Sequence, residues 1–177
     1  MRYVIVSVVK GKGGDFNNNL RKDLFNNFKA KSSKLPAHFT IKAPFEYDGN
    51  ISDLENAIKN ICSNESSTNY IIDGYDHLMI RVIYMKVIMS SKAKEIHDKL
   101  IEELNKLPYI DFSETDGKDK IFHVTLSSKR IQKIFNSLWE YVNKIPCYFN
   151  CSFDNICIYK WEDNTWKLHK EFLLKSK

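Results

Sequence analysis

The hydrophobic and polar residues of this chain follow two spacings, one typical of strands and one typical of helices. Residues 2–9 are mostly apolar, too few for a secretory signal, and predict a first strand. Later segments rich in Ile, Val, Phe and Tyr predict further strands. These cover residues 37–45, 70–75 and 78–89, a segment around 123, and a final pair bent near 163–164.

Four other segments repeat apolar residues every three or four positions, which predicts amphipathic helices. The glycine-rich residues 10–14 are interpreted as a turn, after which Asp15 caps the first helix. Ser52 and Glu55 match a capping box for the second helix. The apolar stripes of the four helices are Phe16, Leu20, Leu24 and Phe28; Leu54, Ala57, Ile58 and Ile61; Ala93, Ile96, Leu100 and Leu104; and Ile131, Ile134, Phe135, Leu138 and Val142.

The order of these elements repeats once along the chain. Each half reads strand, helix, strand with a His-x-Thr tripeptide, helix, strand, and the tripeptide occupies the same place in both. We therefore predict a single α+β domain over residues 1–177, with a bilobal, duplicated, pseudo-two-fold fold. Its halves cover about 1–77 and 78–177, and its two mainly antiparallel sheets are flanked by helices around a central cleft.

Composition and charge narrow the class of protein. Hydrophobic residues make up 43% of the chain and charged residues 28%, which is globular, and no apolar run approaches the roughly 18 residues of a membrane span. We expect a cytoplasmic monomer with no membrane partner. The 27 Lys+Arg against 22 Asp+Glu give a net charge of +5, a mild excess that favours a polyanionic partner without requiring one.

The four cysteines contain no Cys-x-x-Cys pair, and a domain of this size needs no disulfides. We expect reduced, partly buried thiols at Cys62, Cys147, Cys151 and Cys157. A zinc site made from the last three is the alternative, but their spacing matches no common pattern. We therefore expect neither a metal nor a cofactor.

The two His-x-Thr tripeptides are His38-Phe39-Thr40 and His123-Val124-Thr125. Five His and five Thr in 177 residues would give about 0.14 such tripeptides by chance, so composition does not account for two. Two exposed strand histidines without a function remain the alternative. The other histidines do not repeat the pattern: His77 lies at a strand boundary, His97 is expected to be half exposed, and His169 is expected to face solvent.

Strand alternation places the polar residues of each motif on one face, opposite a face of apolar residues. The polar faces consist of His38, Thr40 and Lys42 in the first motif and His123, Thr125 and Ser127 in the second. If the two halves are related by a pseudo-dyad, the two polar faces meet in one cleft.

Two imidazoles at one phosphate can move the protons of phosphodiester cleavage, because histidine titrates near neutral pH. One would take a proton from the attacking oxygen while the other donates to the departing oxygen. The hydroxyls of Thr40 and Thr125 would bind the non-bridging phosphoryl oxygens. Lys42 is a candidate for a further phosphate-binding cation, with a solvated surface lysine as the alternative, and Ser127 is a further candidate ligand.

The segments Pro36-Ala37-His38-Phe39-Thr40-Ile41-Lys42-Ala43-Pro44-Phe45 and His123-Val124-Thr125-Leu126 resemble the paired motifs of the 2H phosphoesterase superfamily. The resemblance spans nearly the whole chain, because that family is also bilobal, duplicated and α+β. Members similar to bacterial 2′-5′ RNA ligases and cyclic phosphodiesterases open 2′,3′-cyclic phosphates or act on 2′-5′ linkages. The resemblance implies that His38 and His123 are the catalytic pair and that Thr40 and Thr125 bind the phosphate.

The leading hypothesis is therefore a metal-independent phosphodiesterase acting on the 2′,3′-cyclic phosphate of an RNA end or nucleotide, or on 2′-5′ bonds, with ligation as the reverse reaction. The alternative is a non-catalytic module that binds an RNA end. A metal site that uses both histidines is disfavoured, because no carboxylate or cysteine stands at a convincing ligand spacing beside them.

Overall fold

The computed structural model of the chain describes residues 1–113 and 116–176. It is an α+β fold with two antiparallel four-stranded sheets, as predicted. The strands are β1 (Arg2–Val8), β2 (His38–Glu46), β3 (Thr68–Leu78), β4 (Val82–Met89), β5 (His123–Ser127), β6 (Tyr148–Phe153), β7 (Asn155–Glu162) and β8 (Thr165–Leu173). The helices are α1 (Gly11–Phe28), α2 (Ser52–Asn64), α3 (Ser91–Leu104) and α4 (Phe135–Asn143), the last preceded by a short 3-10 helix (Gln132–Ile134). In the described part of the chain, no helix is long and apolar enough to cross a membrane.

The two sheets have related strand orders. The first is ordered β2-β1-β7-β8 and the second β5-β4-β3-β6. In each, a strand that carries a His-x-Thr tripeptide lies at the edge, paired with the strand that begins the corresponding half of the chain. Strands β2 and β5 approach within 8 Å between Cα atoms although they belong to different sheets. The two motif strands therefore meet where the edges of the two sheets come together.

One apolar core joins the two sheets and fixes the first motif strand. Phe39, between His38 and Thr40, is fully buried. Its ring packs edge-to-face against Tyr70 of β3 and Phe153 of β6, each at 5.5 Å between ring centroids. Because alternate strand residues face opposite sides, burial of Phe39 directs its two neighbours away from the core.

The glycine-rich segment is helical, and the predicted turn capped by Asp15 is wrong. Helix α1 begins at Gly11, and two of its first-turn glycines allow close packing. A Cβ atom at Gly14 would lie 2.0 Å from the carbonyl oxygen of Val9, and one at Gly13 would lie 2.9 Å from the Sγ atom of Cys151. Glycine is needed here because the helix starts against the strand that precedes it.

The predicted capping box of α2 is also wrong. Ser52 is the first helical residue, and its backbone N–H donates to Oδ1 of Asn50 at 2.7 Å. The carboxylate of Glu55 instead binds His169 and Lys170 on β8. The side chains that could have formed the local cap are thus used in other contacts.

Two further expectations need correction. The segment 78–89 is not one strand, because β3 extends to Leu78 and a turn containing Met79, with a φ of 47°, precedes β4. His97 is fully buried rather than half exposed, with its ring 4.7 Å from the ring of Phe122. The bend at Asp163 and Asn164 is confirmed, and both residues have positive φ angles, as a tight hairpin turn requires.

Candidate active site

His38 opens strand β2 and is held by a backbone hydrogen bond. Its Nδ1 atom donates to the carbonyl oxygen of Pro36 at 2.7 Å, which leaves Nε2 as the unprotonated nitrogen of the neutral ring. Burial lowers the pKa of His38 to about 4, against a raising effect of the Pro36 carbonyl. The positive charges of Arg21 and His123 lower this pKa further. At neutral pH the free His38 ring is uncharged.

His123 opens strand β5 in the same way. Its Nδ1 atom donates to the carbonyl oxygen of Ile121 at 2.9 Å, so each motif histidine is anchored by the carbonyl two residues before it. Burial lowers the pKa of His123, and the nearby charge of Lys120 adds to this effect. The ring of Tyr84 packs 4.9 Å away, between centroids, and supports the imidazole from the neighbouring strand.

The structure brings the two motifs together at a cleft of about 570 Å³. Of the four His and Thr residues of the motifs, Thr40 and His123 line this cleft, and His38 and Thr125 are not among its lining residues. Thr125 lies on β5 and is partly exposed, as Thr40 is on β2. Among the described residues, neither threonine hydroxyl is engaged in a hydrogen bond within the protein, so both are available to a ligand.

Each motif strand contains a β-bulge directly after its threonine. On β2, Thr40 pairs with Val6 and Lys42 with Ile5, so Ile41 is the extra residue. On β5, Thr125 pairs with Tyr84 and Ser127 with Ile83, so the residue between them is again extra. Both strands consequently show the same burial pattern, with two consecutive buried residues after the threonine.

The bulges explain why Lys42 and Ser127 do not join the histidines at the cleft, as simple alternation had predicted. Lys42 is 4% exposed, and its ammonium forms an ion pair with Asp116, above the ring of Phe112. Ser127 is fully buried and donates its hydroxyl to the carbonyl oxygen of Lys31 at 3.0 Å. A bulge turns the following side chain to the other side of the strand.

Two residues at the cleft were missed in the sequence, Lys120 and Asp116. Both line the cleft, and the Lys120 ammonium donates to the carbonyl oxygen of Ile41 in the first bulge. Burial lowers the pKa of Lys120 to about 8. Burial would raise the pKa of Asp116, but hydrogen bonds from Lys42 and Ser113 outweigh it and leave that pKa lowered. Their one sequence signal was their position in the loop that leads into the second motif.

The other polar clusters do not resemble a metal centre. No group of three or more His, Cys, Asp or Glu side chains arranged to hold a metal ion occurs in residues 1–113 and 116–176. The four cysteines are buried free thiols. Burial raises the pKa of Cys62 and of Cys157 to about 12, so both are protonated near neutral pH.

Most of the chain matches the sequence model of a known protein family. A family model described as the 2′-5′ RNA ligase superfamily matches residues 19–165, which include both motifs. No curated protein sequence matches the chain significantly.

Solved structures share the fold at low sequence identity. The structure of TT0787 from Thermus thermophilus aligns with a TM-score of 0.65 and 12% identity, covering 100% of both chains. The structure of LigT from E. coli complexed with 3′-AMP aligns with a TM-score of 0.62 and 11% identity, covering 98% of this chain and 97% of LigT. A structure described only as a phosphoesterase aligns with a TM-score of 0.61 and 12% identity, covering 98% of each chain.

Proposed function

Because this chain belongs to the 2′-5′ RNA ligase superfamily, we propose that it is a metal-independent phosphodiesterase of the 2H type. Its substrates would be 2′,3′-cyclic phosphates at RNA ends or on nucleotides, or 2′-5′ phosphodiester bonds, with ligation as the reverse reaction. The observation that supports the proposal is that both motif strands contribute to one cleft, through Thr40 and His123, and that His38 and His123 are anchored in the same way.

In the proposed reaction, water attacks the phosphorus atom and one ester P–O bond breaks. His38 suits the base, because its pKa of about 4 keeps Nε2 free to accept the proton of the water. His123 would then donate a proton to the departing sugar oxygen. The arriving phosphate anion favours the charged imidazolium, and so restores to His123 the proton that burial disfavours.

The remaining groups at the cleft would stabilise the charge that builds on the phosphoryl oxygens. The hydroxyls of Thr40 and Thr125 are the proposed phosphate ligands, since neither is engaged within the described structure. Lys120 replaces Lys42 as the cation in our proposal, because it lines the cleft while Lys42 is buried against Asp116. Structures of E. coli LigT with 3′-AMP, ATP and phosphate are consistent with a nucleotide-phosphate ligand for such a cleft.

The apolar wall of the cleft offers a surface for the nucleoside. Leu78, Ile121 and Pro44 line it beside Thr40 and His123. Leu78 is 37% exposed and Ile121 58% exposed, which is high for large aliphatic side chains. A base or ribose packed there would cover apolar surface and leave the phosphate toward the polar residues.

The test is a substrate panel in the presence of a chelator. It includes RNA with a 2′,3′-cyclic phosphate, 2′,3′-cyclic nucleotides and 2′-5′ oligoadenylate. His38→Ala and His123→Ala should each reduce kcat/KM about 10²- to 10⁴-fold, and the double variant little further, because paired groups act as a unit. His169→Ala is the matched control, since this histidine contacts Glu55 on the surface outside the cleft.

Two results would contradict the proposal. The first is unchanged turnover in both single histidine variants. The second is tight binding of RNA ends by the wild-type protein with no product from any substrate, which would establish a non-catalytic binding module instead. Loss of turnover in chelator, restored by added divalent metal, would contradict the metal-independent mechanism alone.

A further inference from the structure

A second depression runs along the C-terminal part of α1 and the segment that connects α1 to β2. It has a volume of about 820 Å³. No carboxylate is found among the described residues that line it. Its wall carries five cationic side chains, Arg21, Lys22, Lys31, Lys34 and Lys129. We call this depression the basic groove.

The lysines of the basic groove differ from most other lysines in their pairing. Elsewhere, lysines such as Lys92 and Lys99 form ion pairs, both of them with Glu65. In the described part of the chain, none of the four groove lysines forms an ion pair with a carboxylate. The Lys34 ammonium does donate to the carbonyl oxygen of Asn164 and lies over the Trp161 ring. Without carboxylate partners, the positive charges of these lysines can attract an anionic ligand.

Hydrogen bonds to backbone carbonyl oxygens fix the wall of the groove. The guanidinium of Arg21 donates to the backbone carbonyl oxygens of Leu35, at 2.9 Å, and Ser33. The carbonyl oxygen of Lys31 accepts from the hydroxyl of Ser127 and from the backbone N–H of Lys129 at 3.1 Å. These bonds hold the segment before β2 against α1 on one side and against the end of β5 and the residues after it on the other.

The groove adjoins the proposed active site. It ends at Pro36, whose carbonyl accepts the hydrogen bond of His38, while the cleft begins at Thr40. Arg21 in the groove wall is close enough to His38 to affect its protonation. Along the chain, His38 therefore lies between Pro36 of the basic groove and Thr40 of the cleft.

The groove also presents an aromatic surface. Phe25 lines it and is 43% exposed, although the neighbouring stripe residues Leu20 and Leu24 are buried. Proteins that bind single-stranded nucleic acid combine a positive groove along the backbone with exposed rings on which bases stack. Phosphates spaced along a chain match several unpaired lysines better than a single phosphate group does.

We propose that the basic groove binds the sugar-phosphate backbone of an RNA strand whose terminal phosphodiester occupies the cleft. The preferred substrate would then be a polynucleotide end rather than a free nucleotide. This inference rests on the proposed function for its substrate end, while the groove itself is tested by binding.

The first measurement is fluorescence anisotropy with a labelled decanucleotide RNA that ends in a 3′-phosphate, from about 50 to about 200 mM salt. Loss of two phosphate contacts in Lys31→Ala/Lys129→Ala should reduce the slope of log Kd against log salt by about 1.4, since each contact to a single strand contributes about 0.7. Lys31→Arg/Lys129→Arg should retain the wild-type slope. Lys59→Ala/Lys106→Ala, which removes the same charge from exposed positions outside the groove, should also retain it.

The second measurement compares kcat/KM for a decanucleotide and a mononucleotide that both carry a 2′,3′-cyclic phosphate. Lys31→Ala/Lys129→Ala should raise KM for the decanucleotide and leave mononucleotide turnover unchanged. The inference is overturned if the salt slope of the alanine variant equals that of the wild type, or if both substrates lose turnover equally. Salt-dependent RNA binding through these lysines without turnover of either substrate would support the groove and contradict the proposed function.

Discussion

The buried ion pair between Lys42 and Asp116 offers a sharp test of how the two motif strands are held together. Lys42 lies on β2 and Asp116 in the loop before β5, and each side chain is 5% exposed. Without the ammonium, the hydrogen bonds that the described residues still give the carboxylate come from Ser113 and from the backbone N–H of Ala43 at 3.3 Å. A charged carboxylate would then remain buried without its paired ammonium, with Lys120 as a further positive charge nearby.

Breaking such a pair from one side costs about 3–5 kcal/mol, because the remaining charge is desolvated and uncompensated. We therefore expect Lys42→Met to lower the free energy of unfolding by about 3 kcal/mol, the lower end of this range, because the charge of Lys120 offsets part of the loss. Lys42→Met/Asp116→Asn should recover most of the loss, since replacing both charges is often close to neutral. The exposed pair of Lys106 and Glu103 provides the control, and Lys106→Met should cost less than about 1 kcal/mol.

Urea denaturation followed by tryptophan fluorescence measures each free energy. The wild type, Lys42→Met, Asp116→Asn and the double variant form a double-mutant cycle. The pKa of Asp116 is lowered in the folded protein, so its contribution is present above the unfolded value of 3.8 and is lost as the pH falls. The deficit of Lys42→Met should accordingly shrink in acid, where the carboxyl group becomes protonated. Additive single variants that each cost less than about 1 kcal/mol would refute the reasoning.

Two other predictions concern groups whose pKa is shifted by burial. Lys120 has a pKa of about 8, so kcat/KM should decline above pH 8 as its charge is lost. Lys120→Arg should abolish this decline, whereas Lys120→Met should lower kcat/KM and raise the pKa of His123. Both effects are measured from pH–rate profiles. His97 is fully buried with a pKa of about 4, so the unfolded chain takes up its proton first and stability falls as the pH drops from 6.5 towards 4. At about 1.4 kcal/mol per pKa unit, this loss of stability amounts to about 3 kcal/mol. His97→Leu should remove that part of the loss in acid. Equal acid sensitivity of the wild type and His97→Leu would contradict this prediction.

The elements and the fold class could be predicted because each element buries one face, and that burial produces the apolar spacing seen in the sequence. Leu20 and Leu24 of the first stripe are buried, as the helical repeat requires, and so is Phe39 on the apolar face of β2. The start of α1 could not be predicted in this way. Gly14 is needed because the carbonyl oxygen of Val9 lies against it, a close approach that depends on how the backbone turns from β1 into α1 and that the apolar spacing does not indicate.

The candidate site could be predicted only as far as strand alternation holds. His38 and Thr40 precede the bulge, so the two-residue period places them correctly on one face, while Lys42 follows it and is turned away. A bulge depends on the register with the neighbouring strand, and no residue type in these two segments indicates that register. Lys120 was missed for a related reason: it lies in a loop, where no periodic pattern indicates the direction of a side chain.

The two bulges separate the part of each motif that is alike in both halves from the part that differs. Histidine and threonine are shared, whereas the residues just beyond the extra residue are Lys42 and Ser127, which have unrelated partners. A phosphodiester in the cleft would therefore meet nearly equivalent groups on the side of its entering oxygen and on the side of its departing oxygen. In the reaction that we propose, exchanging those two oxygens turns cleavage into joining, so the near-equivalence of the two sides would suit a reaction that runs in either direction.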